Sequence, residues 1–294
     1  KSKVQSYKNL PLRLTELGTV YRYERSGTLF GLMRVRGLTQ DDAHIFCALE
    51  QLAQEIKNIL KLAFKILKFF EIKDFNLYLS TKPEKYIGQE KLWRKAEKTL
   101  VFVLKSLKMP FFIDKGGGAF YGPKIDLKIK DNLKREWQCS TIQLDFNLPE
   151  RFDLYYIDKK GKKQRPLILH RALLGSLDRF IGILLEYHKG EIPFLFSPEQ
   201  IWILPIGKKY FSFAKKIKNE ILKSYPQLRI KIRDEKETIA KKVREGEIQK
   251  IPYLIALGEE ELKNNKVRIR ERKRGDLGKM RLEEFLNKIK KNLK

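Results

Sequence analysis

The 294-residue chain carries 63 Lys+Arg against 36 Asp+Glu, a formal charge of +27. That length accommodates about two domains with buried cores. The charge favours a polyanionic partner, nucleic acid or an acidic surface, although a solvated lysine-rich surface would give the same total. Two cysteines, Cys47 and Cys139, argue against a disulfide framework and fit a reducing compartment. No apolar run approaches the ~20 residues that cross a bilayer, and no secretory leader is visible, so no membrane association and a cytoplasmic location are expected. The chain opens on Lys1 within sequence that already reads as folded, which suggests a piece of a longer protein.

Residues 20–46, VYRYERSGTLFGLMRVRGLTQDDAHIF, read as a long hairpin: two extended runs flank a polar loop at 25–31. On the second arm Arg34, Arg36, Gln40, Asp42 and His44 keep a period of two, which puts them on one face of a strand opposite Arg22 and Glu24. Such a mixture of groups suggests the floor of a site. From Leu49 to Phe70 the apolar spacing changes to three and four, predicting a core-packing helix whose lysines 57, 61, 65 and 68 lie off the stripe. Residues 75–80 read as a strand and 90–107 as a second helix.

Gly116, Gly117 and Gly118 lack the Lys-Ser/Thr and the following helix of a phosphate-binding P-loop, so a hairpin turn before a strand at 124–130 is expected. Residues 137–146, WQCSTIQLDF, read as a strand in which Gln138 and Gln143 have opposite parity; either one is structural or a bulge intervenes. Residues 165–169 form a short apolar strand ending at His170, and 173–185 a helix with Gly175, Ser176 and Arg179 off its stripe. PFLFSP at 193–198 breaks both patterns and marks a domain boundary. Beyond it, strands at 201–206, 228–232 and 253–257 alternate with helices at 210–224 and 238–248. A strand at 266–272 and a helix at 281–293 follow. This order implies a three-layer α/β domain with no dinucleotide fingerprint.

Two constellations carry chemistry. Arg22, Arg34, Arg179 and Arg36 could converge on phosphate, because guanidiniums bind its oxygens bidentately and stay charged; ordinary surface arginine is the alternative. Of three histidines, His44 and His170 end separate strands and could meet as metal ligands, although packed imidazoles are the commoner outcome and a zinc site needs at least three protein ligands. His188 sits at a helix end and suggests no chemistry.

Residues 31–47, GLMRVRGLTQDDAHIFC, resemble motif 2 of the class II aminoacyl-tRNA synthetases, and in particular of the branch that charges threonine. ILHRALLGSLDRFIGILLE resembles motif 3 of that branch, and GAFYGPKIDL and QCSTIQLDF between them fit it too. The resemblance runs in order from near Ser6 to the C-terminus. It implies an α/β chain: an α+β catalytic domain at residues 1–197, with an antiparallel sheet flanked by helices, then an anticodon-binding domain at 198–294. It also implies that Arg22 binds the α-phosphate of ATP and the threonine carboxylate, Arg34 the γ-phosphate, Arg179 the adenine and phosphate, and Glu24 the adenine amine. Gln138 and Ser176 match positions lining the ATP site, and Leu38 stands where many members carry a phenylalanine against adenine.

Around the amino acid the resemblance assigns Gln40, Asp42, Tyr121 and Gln143. It assigns zinc to His44, His170 and a cysteine upstream of this chain, and magnesium to the ATP. Asp234, Arg244, Glu261 and Arg270 match anticodon contacts. ATP, L-threonine and tRNA(Thr) are the implied partners, and the full-length protein is expected to be a homodimer. A non-catalytic RNA-binding paralogue of the same fold is the alternative, although such a binder would need neither the arginines nor the histidines.

Overall fold

The hairpin is longer and more interrupted than its pattern suggests. In the computed structural model, which describes residues 2–293, β1 (Leu12–Tyr21) runs antiparallel to β2 (Gly37–Cys47), with Leu12 opposite Phe46 and Tyr21 opposite Gly37. Between them the Arg22 amide donates to the Arg36 carbonyl at 2.8 Å, Ser26–Thr28 forms a tight turn, and Phe30 bridges Arg34. Arg34 and Arg36 therefore precede the strand, and strand alternation does not set their direction. Within β2 the alternation is clear: Ala43, Ile45 and Cys47 are buried, while Asp42, His44 and Phe46 are only half-buried.

α1 (Leu52–Phe69) covers the buried face, burying Leu52, Ile56, Ile59, Leu60, Ala63 and Leu67 at the spacing of one helical stripe. Ile59, Leu60 and Ala63 leave only a gap of about 10 Å³ against Ile125, Leu127, Ser140 and Ile142. β3 (Phe75–Ser80), α2 (Glu90–Ser106), β4 (Phe112–Asp114), β5 (Lys124–Lys130), β6 (Glu136–Asp145), β7 (Leu167–Ser176) and α3 (Leu177–Tyr187) follow. The seven strands are ordered β1-β2-β7-β6-β5-β3-β4, antiparallel except for the parallel β3/β4 pair.

Two local expectations fail for identifiable reasons. The glycine run is not a hairpin turn, because β4 and β5 lie on opposite sides of β3. The chain instead crosses the end of β3, where the Gly118 amide donates to the Thr81 carbonyl at 2.8 Å and a Cβ on Gly118 would sit 2.5 Å from that oxygen. Leu173 and Leu174 are strand, not helix: β7 is held between β2 and β6 as far as Ala172, and its last residues bulge before α3 begins at Leu177. His170 is therefore mid-strand.

The chain divides into two units, Lys1–Lys189 and Gly190–Lys294. The division falls ahead of PFLFSP because Phe194 is buried in the core of the second unit. That unit contains β8 (Ile201–Pro205), α4 (Phe211–Ser224), β9 (Ile230–Ile232), α5 (Ile239–Ile248), β10 (Tyr253–Leu257), α6 (Glu259–Lys263), β11 (Val267–Glu271), β12 (Gly275–Met280) and α7 (Leu282–Lys290). Its sheet is ordered β9-β8-β10-β11-β12, parallel through β10 and antiparallel after it. One face packs α4 and α7 through Phe213, Ile217, Phe285 and Ile289; the other packs α5 through Trp202, Leu204, Leu254, Ile239 and Val243. The arrangement is three-layered.

Candidate active site

Strand register assembles the site. Directly opposed residues in neighbouring strands share a face, and one row across the sheet reads His44, His170, Gln143, Lys124, Ser80. The adjacent row reads Asp42, Ala172, Thr141, Asp126, Tyr78. A register shift between Leu127/Lys128 makes Ser140 face Leu127 and Gln138 face Lys128, so Cys139 is the extra residue of a bulge. That bulge resolves the parity of the two glutamines: both Gln138 and Gln143 lie on the open face.

At one end of this face the arginines gather. An Arg22 guanidinium nitrogen is 3.5 Å from Gln40 Oε1, and Arg34 Nε donates to Glu24 Oε2 at 3.0 Å. Arg179 Nε donates to the Met33 carbonyl at 2.7 Å, tying α3 to the loop of the first hairpin. Burial, and then the positive charges of Arg22 and Arg34, lower the Arg179 pKa, while Glu24 opposes them. Two guanidiniums close enough to disfavour the charge of a third make a positive cluster that suits a multivalent anion. Arg36 instead donates to the Glu24 carbonyl and lies over the Tyr23 ring.

Ser176 caps α3, its hydroxyl accepting from the Arg179 amide at 3.2 Å. Gly175 precedes it at φ +74°, and a Cβ there would sit 2.7 Å from the Cys139 carbonyl. Both facts require glycine. Asp41, on the opposite parity from the expected site residues, accepts from the amides of Leu173, Leu174 and Gly175 at 2.9, 3.0 and 2.9 Å.

The two histidines meet. Their ring centroids are 4.7 Å apart, edge to face. His170 Nε2 is 3.0 Å from the fully buried Asp145 carboxylate, which also accepts from the Asn147 and Leu148 amides. Tyr121 lies edge-on to His170 and donates to Gln143 Oε1 at 2.6 Å. Burial, then the Asp145 and Asp42 charges, push its phenol pKa up, so it remains a proton donor. Among the described residues no group of three His, Cys, Asp or Glu side chains is placed to hold a metal ion. The imidazoles supply two donors where zinc needs at least three. Cys47 and Cys139 are buried and do not complete the set.

Lys124, Asp126 and Asp145 escaped the reading of the sequence. Asp126 is 1 % exposed and takes Lys124 Nζ at 2.6 Å, Gln138 Nε2 and Thr141 Oγ1 at 2.8 Å each, and Ser80 Oγ at 3.2 Å. It anchors both Gln138 and Lys124. The alternation of KIDLKIK gave a signal, since Lys124 and Asp126 share the parity of the open face. A cavity of about 900 Å³ lies elsewhere, lined by Tyr7, Leu49, Lys95, Phe146 and Arg165, and includes none of the expected site residues.

In the second unit Asp234 and Arg244 are exposed. Arg270 pairs with Glu247 at 2.7 Å. Glu261 is 5 % exposed, its carboxylate accepting from the Gly258 amide at the start of α6. No hydrogen bond or ion pair among the described residues joins these four to one another.

Comparison with known proteins supplies the context. Residues 1–188 match the tRNA synthetase class II core domain (G, H, P, S and T), and residues 200–292 match an anticodon binding domain. A threonine–tRNA ligase of Sulfurihydrogenibium sp. (strain YO3AOP1) is 51% identical over 290 residues, 99% of this chain and 45% of that protein. One from Aquifex aeolicus (strain VF5) is 48% identical over 294 residues, 100% of this chain and 46% of that protein. The crystal structure of the RNA binding domain of threonyl-tRNA synthetase from Cryptosporidium parvum Iowa II superposes with a TM-score of 0.88 at 39% identity, covering 98% of this chain and 72% of that one. The chain spans about half the length of the curated relatives it matches.

Proposed function

This chain belongs to the threonyl branch of the class II tRNA synthetases, and from that premise we propose that the full-length protein is a threonine–tRNA ligase. It would activate L-threonine with ATP and transfer it to tRNA(Thr). The observation that carries this reading is the convergence of Arg22, Arg34 and Arg179 beside Glu24, a positive cluster with one carboxylate among it. A triphosphate supplies the missing negative charge, and the carboxylate suits the adenine amine.

In this reading Arg22 takes the α-phosphate and the threonine carboxylate, Arg34 the γ-phosphate, and Arg179 the adenine face and phosphate, with Gln138 and Ser176 lining the nucleotide site. A carboxylate oxygen of threonine attacks the α-phosphorus in line. The bond to the bridging oxygen breaks, and pyrophosphate leaves with its magnesium. No side chain moves a proton in this step, because the nucleophile is already an anion; the protein's part is positioning and charge neutralisation. Transfer to the terminal ribose of the tRNA releases AMP.

Gln40, Asp42, Tyr121 and Gln143 would surround the amino acid. The Tyr121–Gln143 hydrogen bond and the crowded carboxylates Asp42 and Asp145 support a polar pocket made for a hydroxyl and an ammonium group. His44 and His170 would offer two imidazoles to a zinc ion, with a third protein ligand needed from outside the described residues. For the anticodon, exposed Asp234, Arg244 and Arg270 fit contact with unstacked base edges, whereas Glu261 would act from its capping position.

The test is aminoacylation: the full-length protein, given ATP, threonine and total tRNA, should yield threonyl-tRNA. Binding of tRNA without charging would make it a non-catalytic relative and overturn the proposal.

A further inference from the structure

The register of β2 and β7 breaks between Ala172 and Ser176, so the amides of Leu173, Leu174 and Gly175 have no ladder partner on that side. Orphaned amides so close to the core demand acceptors. Asp41 provides them, Oδ2 for Leu173 and Oδ1 for both Leu174 and Gly175. From the other neighbour, the Cys139 thiol and Ser140 hydroxyl donate to the Leu173 carbonyl. A second carboxylate closes the join in the reverse direction: Asp178 of α3 accepts from the Thr39 amide at 3.1 Å. Thr39 and Asp41 flank Gln40 on β2, and Asp178 lies between Ser176 and Arg179.

We propose that Asp41 is a positioning residue for the nucleotide site, fixing through the bulge at 173–175 where α3 starts and therefore where Ser176 and Arg179 stand. The proposal rests on the ATP-site reading above. Its physical content is separate: one carboxylate on the strand carrying Gln40 and Asp42 sets the backbone of a segment 132 to 134 residues away in sequence. Burial raises the Asp41 pKa, and the three amides and then Arg171, 3.6 Å from Asp41 Oδ2, offset part of that cost. The site thereby gains a rigid link between the part assigned to threonine and the part assigned to ATP, independent of either ligand.

Asp41→Asn tests it with little change of volume. An asparagine offers one acceptor oxygen, and its NH₂ would confront at least one of the three N–H donors. In the full-length protein, hydrogen exchange should lose protection at Leu173–Gly175 and retain it across β5 and β6. The KM for ATP in pyrophosphate exchange should rise by about ten-fold or more, because a small misplacement of binding groups is costly, while the KM for threonine changes less than about two-fold. Unchanged protection at 173–175 would overturn the proposal, and so would an unchanged ATP KM. Equal losses for both substrates with protection lost throughout the sheet would reduce Asp41 to a general stabilising role and also overturn it. Should the unsubstituted protein bind no ATP by calorimetry, the ATP-site reading fails, and with it the link to catalysis, whereas the exchange measurement still decides whether Asp41 holds the bulge.

Discussion

At the scale of single residues, chemistry here follows from which groups are shielded. Cys47 and Cys139 are buried residues of the sheet itself, and burial pushes both thiols up to about 12. Thiolate is the reactive form, so neither cysteine should be alkylated by iodoacetamide in the native protein at pH 8, and peptide mapping should find both modified after denaturation. Labelling of native Cys139 would contradict its place in the bulge of β6. Arg179 is the opposite case: burial and two neighbouring guanidiniums oppose its charge, yet its planar fork also holds the Met33 carbonyl. Lysine cannot reproduce that geometry. Arg179→Lys should therefore lower kcat/KM for ATP by about 100-fold, roughly the loss of one preorganised charge-assisted contact, with a thermal midpoint close to that of the parent protein.

At the scale of elements, what can be read in the sequence is periodicity, and what cannot is the place where periodicity breaks. The even-numbered row Gln40, Asp42, His44 was legible because β2 alternates through that stretch, and the α1 stripe because its spacing stays helical. The β6 bulge at Cys139 appeared only as two glutamines of conflicting parity, and deciding between a bulge and a structural side chain took the partner strand. Asp41, of the opposite parity, drew no reading from the sequence; its partners are the amides of a bulged segment far along the chain. β12 was invisible because GDLGKM has two glycines at positive φ and little apolar pattern. Gly175→Ala tests the bulge of β7: a left-handed backbone costs ~1–2 kcal/mol for other residues, and the close Cys139 carbonyl adds to it, so a loss of about 3 kcal/mol in urea unfolding is expected. In the second unit Arg233 stacks on Trp202 and pairs with Glu235 and Glu245 at 2.7 Å each, next to exposed Asp234. Because the glutamates are partly open to solvent, Arg233→Met should cost about 2 kcal/mol rather than the full value of a buried pair.

At the scale of the whole molecule, the proposed function would give the charge of +27 a counterpart in tRNA phosphates, since the chain matches a synthetase core followed by an anticodon binding domain. Each phosphate neutralised contributes close to one unit of slope to the salt dependence of affinity. The Kd for tRNA should accordingly rise by more than about ten-fold between roughly 50 and 200 mM salt, as fluorescence anisotropy would record; a flat response would return the lysines to mere solvated surface. The central claim concerns the site and not the charge, and amino-acid-dependent exchange of pyrophosphate into ATP by the full-length protein tests it most directly. Exchange should depend on threonine above every other amino acid offered. Exchange driven by serine or proline in preference to threonine, or none from a folded protein that binds tRNA, would contradict it.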